Sequence, residues 1–231
     1  MEKAVKFEIQ IDRVIPDRAA LLSGQSMPDD DTLSPLISES VNMALVHCAD
    51  LLRPAGLTLE IKASDFERIF KGEGMNDPQA PLDLIFRKAS SLHLFSVTVG
   101  SSVSNHVRSL FSSGDYTTGF FLDAAASFAV DNMTTMLESK FSSDSKAAAL
   151  SYSPGYCGWD LSGQKRLFTA LQPEQIEVFL LDSLLMNPIK SSSGVIVCGE
   201  PSIHYFVNNF TFCRSCKHRT CRERIRSLGS V

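Results

Sequence analysis

Ser151–Asp160 reads SYSPGYCGWD, ten residues that gather Pro, two Gly, two Tyr, Trp and Cys directly after an alanine-rich segment. Pro154 fixes its own φ and pushes Ser153 toward an extended conformation, while Gly155 admits a close backbone approach that a side chain would block. Such a loop can present N–H and C=O groups to a ligand, with Tyr156 and Trp159 offering flat surfaces that have a polar edge. The same residues also read as a packed turn whose aromatics belong to the core.

Outward from this loop, LSGQKRLFTALQ predicts a short helix with Ser162 as its N-cap, and Pro173 opens the next element. EVFLLDSLLM and SSGVIVCGE read as buried strand or strand-edge segments joined through NPIKSSS. Upstream, Tyr116–Phe141 predicts a helix with a wide apolar face, and its Ala124–Ala126 run allows close packing. SLHLFSVTVGSS has too few charges for an exposed edge strand and leads through a turn into VSNHVRSLF. Residues 5–14 alternate as a first strand and LTLEIKA reads as a second. Between them, Leu36–Leu52 carries apolar residues at intervals of three and four, stopped by Pro54 and Gly56. Strands alternate with helices to about residue 140, which predicts an α/β or α+β domain whose final third is more irregular.

A chain of 231 residues holds one sizeable core or two small ones, and neither a long linker nor a tandem duplication argues for the second. The net charge of −4 argues against broad electrostatic binding to nucleic acid or anionic lipid. No apolar run reaches the roughly 18 residues of a membrane span, and MEKAVKFEIQIDRV lacks the apolar centre of a signal peptide, so a cytoplasmic protein is expected. Six cysteines are too sparse for a disulfide scaffold; Cys48, Cys157 and Cys198 are scattered, while Cys213, Cys216 and Cys221 cluster in a tail rich in Lys and Arg.

Pro154, Gly155 and Tyr156 match the last three positions of an Arg-x-x-Pro-Gly-Tyr loop. Gln164, Lys165, Leu167 and Phe168 follow it as a Gln-Lys-x-Leu-Phe helix, and Ser183–Gly194 matches Ser-x-x-Met-x-Pro-x-x-Ser-x-Ser-Gly. With FFLDAAASFAVDNM as a long central helix, these segments resemble the activation, or reactivation, domain of cobalamin-dependent methionine synthase, above all its stand-alone relatives in corrinoid methyltransferase systems. They fall in the family's order and cover roughly residues 80–210. The resemblance implies a single α+β domain over residues 1–210, with a mixed or antiparallel sheet and flanking helices, followed by a Cys-rich basic tail at 211–231.

It further implies binding of S-adenosylmethionine by Ser153, Pro154, Gly155, Tyr156, Cys157, Gly158, Trp159 and Tyr205, with the methyl group placed above a cobalamin carried by a partner. That partner would be a corrinoid-binding protein or methyltransferase, with a reductase or flavodoxin as electron source; the chain would be at most a component of the methyltransferase system. The family's loop Arg aligns with Ser151, its acidic residue six positions earlier with Ser145, its central-helix Glu with Ser127 and its late Tyr with His204, so most charged anchors are replaced. Asp123 and Asp131 on the central helix are the available substitutes. The alternatives are a binding module that has lost the ligand and an iron–sulfur electron-transfer subunit.

The spacing CxxCxxxxC of Cys213, Cys216 and Cys221 suits an Fe–S cluster or zinc, since a CxxC turn brings two thiolates to one metal. Cys198, Cys157 and His218 are candidate fourth ligands, and buried, uncoordinated thiols are the alternative. His47 and His93 sit on apolar stretches and read as core or boundary residues. Gly72–Gly74 lacks the strand and helix that a phosphate loop needs.

Overall fold

Alternation along the strands decides which layer each residue joins. The computed structural model describes residues 3–29, 32–145 and 147–204. In chain order these form β1 Val5–Glu8, α1 Arg18–Gly24, α2 Pro35–Leu51, β2 Ala55–Ile61, α3 Ala63–Lys71, α4 Pro81–Phe86, β3 Ser91–Thr98, α5 Ser102–Ser113, α6 Tyr116–Ser145, β4 Ala148–Tyr152, α7 Gly163–Leu171, β5 Phe179–Leu180, β6 Met186–Asn187 and β7 Ser191–Gly199. Five strands make one sheet in the order β1-β2-β3-β7-β4, and every neighbouring pair is antiparallel. The expected α+β domain with an antiparallel sheet and flanking helices is what the chain forms.

Helices cover both faces. Phe95, Val97, Ile196 and Cys198 point to one side and meet α1, α2, α5 and α6, where Ala125, Ala126 and Ala129 bring the long helix close to the sheet. Leu57, Leu94, Val195, Val197 and Leu150 point to the other side and meet Phe66 and Phe70 of α3, Ile85 and Phe86 of α4, and Leu167 and Leu171 of α7. Each fully buried Leu, Val or Phe contributes about 1.5–3 kcal/mol relative to exposure. This double coverage explains why the centre of β7, Val195–Cys198, is apolar on both faces.

Several local expectations are corrected. The first strand ends at Glu8 rather than residue 14; a 3-10 turn at Ile11–Arg13 follows, and Asn132 Nδ2 of α6 donates to the Val14 carbonyl at 3.0 Å. EVFLLDSLLM is not a buried strand. It forms the two-residue strands β5 and β6 of a separate hairpin with Phe179, Leu181 and Leu185 exposed, turning at Leu184 with φ 64° and closed by the Leu181 N–H on the Leu185 carbonyl at 2.9 Å. α1, α3 and β4 are further elements that no sequence pattern above predicts, although Phe66, Ile69 and Phe70 supply a helical interval in α3.

Candidate functional site

SYSPGYCGWD begins inside a strand: Ser151 and Tyr152 close β4, opposite Ile196 and Val195 of β7. Ser151 faces the free edge of β4 with its N–H, which the buried Glu138 Oε1 of α6 accepts at 2.7 Å. The turn then folds on itself. The Gly155 N–H donates to the Trp159 carbonyl at 2.7 Å, the Tyr156 N–H to the Ser153 carbonyl at 3.1 Å, and the Trp159 N–H to the Tyr156 carbonyl at 2.9 Å. Gly155, Cys157 and Gly158 all have positive φ, which makes the turn tight enough for these bonds.

A second loop clamps the first. The Asp77 N–H donates to the Gly158 carbonyl at 3.0 Å, and Asn76 accepts the Asp160 N–H at 2.8 Å while donating its Nδ2 to the Phe70 carbonyl at 2.7 Å. A Cβ on Gly158 would lie 2.7 Å from Ala80 Cα, so only glycine fits this crossing. Sequence reasoning missed Asn76; the turn-forming NDP triplet after Met75 was its one signal.

The loop's residues divide by exposure. Gly155 and Tyr156 are exposed, whereas Pro154, Cys157, Gly158 and Trp159 are buried. The Trp159 indole packs edge-on against Phe66 at a centroid distance of 5.5 Å and lies 6.1 Å from Phe70, so its flat surface belongs to the core and is closed to a ligand as the loop stands. Hydrogen bonding from Ser162 holds the Asp160 carboxyl below the usual carboxylate range. Asp160 also accepts the Ser162 N–H at 2.9 Å; Ser162 itself makes no side-chain cap to α7.

Segments separate in the sequence meet here. Gly194 of β7 sits so close to the loop that a Cβ would be 2.2 Å from the Tyr152 carbonyl oxygen and 3.0 Å from Ser153 Oγ. Gln164 of α7 donates its Nε2 to Ser193 Oγ at 3.3 Å, and both residues are buried. Around the same end of the sheet, Lys190 Nζ reaches Asp123 Oδ1 and Ser127 Oγ of α6, each at 2.8 Å, with its side chain only 12% exposed. An ammonium group therefore stands beside Ser127, where the resemblance implies a carboxylate. Asp123 binds that lysine.

His204 is buried and its Nδ1 bonds the Tyr152 hydroxyl at 2.8 Å, which ties the end of the described chain to the base of the loop. Tyr205, Cys213, Cys216 and Cys221 lie outside the described residues. Among the described residues no three His, Cys, Asp or Glu side chains gather as a metal would need. Cys48, Cys157 and Cys198 are buried and lie outside any disulfide; burial pushes the Cys48 thiol up to about 12 and also raises Cys198, which keeps Cys198 a poor thiolate ligand. No helix among the described residues is long and apolar enough to cross a membrane.

No protein-family model and no curated protein matches the chain. Among solved structures it is similar to a crystal structure of the MetH reactivation domain bound to AdoHcy, with a TM-score of 0.61, 13% identity, and coverage of 85% of this chain and 78% of that one. At that identity the likeness is one of fold: the chain has the fold of the MetH reactivation domain.

Proposed function

We propose that the protein is an accessory domain of a corrinoid-dependent methyl-transfer system, docking on a cobalamin-carrying partner and supporting reductive reactivation of its cobalt. In this reading the SPGY loop, α7 and the start of β7 form the face that takes an adenosyl ligand of the S-adenosylmethionine type. The observation that carries it is the convergence of three separate sequence segments at one end of the sheet: Gly194 packs on Tyr152 and Ser153 at the base of the SPGY loop, and Gln164 bonds Ser193. The solved structure of similar fold holds AdoHcy, which supports the ligand class. Exposed Gly155 and Tyr156 suit contact with the uncharged part of such a ligand; the described residues supply no arginine at Ser151 for its carboxylate.

A second reading is favoured by the loop's own bonds. Its N–H groups at Gly155, Tyr156 and Trp159 are satisfied internally, as in a binding module that keeps the fold and has lost the ligand. Calorimetric titration with S-adenosylmethionine and with AdoHcy separates the two. Saturable heat that Tyr156→Ala weakens supports the first reading; no heat, together with retained binding to a corrinoid protein, supports the second. For the tail, the spacing of Cys213, Cys216 and Cys221 supports ligation of an Fe–S cluster or zinc. Metal analysis with a visible spectrum of anaerobically prepared protein tests it, and a metal-free, colourless protein would end that proposal.

A further inference from the structure

At the opposite end of the sheet from the SPGY loop, where β2 ends and β3 begins, lies a groove of about 980 Å³. That is near the upper end of small-molecule sites, which run to roughly 1,000 Å³. Leu59, Ile61, Ala89 and Ala170 give it an apolar floor, and Lys62, Arg68 and Arg166 line it alongside Glu60 and Asp65. Arg68 pairs with Asp65, whereas Lys62 and Arg166 make no ion pair among the described residues. Arg166 Nη1 donates to the Arg68 carbonyl at 3.0 Å, which holds its guanidinium against α3.

Lys62 is out of place by the ordinary rules of helices. It occupies the N-cap of α3 and makes no side-chain cap bond. Ser, Thr, Asp or Asn would cap better, and a cation there opposes the helix dipole. Positive charge is thus gathered beside an apolar hollow against the interest of the helix.

We infer that this groove binds a monoanionic phosphate ester with an apolar body, the anion meeting Lys62 and Arg166 and the body resting on Leu59, Ile61, Ala89 and Ala170. Two unpaired cations against Glu60 leave one net positive charge, which matches a phosphodiester better than a dianion. The groove shares no lining residue with the SPGY loop, so its occupancy does not depend on an adenosyl ligand there.

Diphenyl phosphate is a suitable probe, with inorganic phosphate as the head alone and diphenylmethanol as the body alone. In amide NMR spectra of the full chain, diphenyl phosphate should give saturable shifts at Lys62, Ala63, Ser64 and Arg166 and none at Gly155 or Tyr156. Both partial probes should bind at least tenfold more weakly, and Arg166→Gln should weaken diphenyl phosphate at least fivefold. Lys62→Ser should do the same while raising the melting temperature by about 2 °C, because it restores a cap. The inference is overturned if no saturable shift occurs, if diphenylmethanol binds as well as diphenyl phosphate, or if both variants bind unchanged.

Discussion

Gly194 shows how tightly the loop is fitted. A methyl group there would have to displace the Tyr152 carbonyl, which is backbone held in the β4–β7 ladder. Overpacking of this kind costs about 1–3 kcal/mol. Gly194→Ala should therefore lower the unfolding free energy by that amount, read as a lower denaturant midpoint at unchanged slope, and an unchanged midpoint would show that the loop yields. Asp160 supplies a pH signature. Its folded-state pKa is lowered by Ser162, so its contribution to stability is present above the ordinary Asp value of about 3.9 and is lost as pH falls through the lower folded value. Asp160→Asn should destabilise the protein near neutral pH, with the difference from wild type closing in strong acid. Of the residues that the sequence singled out, Gly155 and Tyr156 are exposed as a contact would require. Trp159 is drawn into the core by Phe66 and Phe70, residues some 90 positions away that no local pattern connects to it.

Edge strand β4 depends on α6 at the scale of elements. Glu138→Ala would leave the half-buried Ser151 N–H without its carboxylate, a loss of about 1 kcal/mol. Hydrogen exchange should then quicken at Ser151, while β3 amides stay protected; equal protection at Ser151 in wild type and variant would deny Glu138 this role. α2 and α5 meet through His47 and His106, whose rings lie 4.4 Å apart. Burial and the neighbouring His106 lower the pKa of His47, opposed by Asp50 and Asp115. The unfolded chain thus takes the proton first, and His47 contributes a loss of stability as pH falls from about 6.5 toward the lower folded value. Thermal melts of His47→Gln should show a shallower decline with falling pH over that window, and a decline as steep as wild type would contradict this. The long helix and the central strand were legible because their apolar residues recur without interruption. β5 and β6 misled because VFLL and LLM are apolar yet sit in an exposed hairpin, where composition says nothing about burial. β4 was hidden by its alanines, which favour helix locally but are held in the sheet by β7.

Across the whole molecule the sheet separates two ends with different chemistry. One end gathers the SPGY loop, Gln164, Ser193 and the Lys190–Asp123 pair; the other holds the groove of Lys62 and Arg166. Motif order along the chain was enough to anticipate the α+β fold, because glycines and prolines at close crossings leave a readable trace. The charged partners were not anticipated: Lys190 approaches Ser127 across 63 positions, and Glu138 approaches Ser151 from a different element. Whether the SPGY end of the sheet holds an adenosyl ligand can be read by mapping AdoHcy with amide NMR on the full chain. Saturable shifts are expected at Gly155, Tyr156, Ser193 and Gly194, with Lys62 and Arg166 unmoved. No saturable shift, or shifts confined to the Lys62–Arg166 groove, would contradict an adenosyl site at the SPGY end.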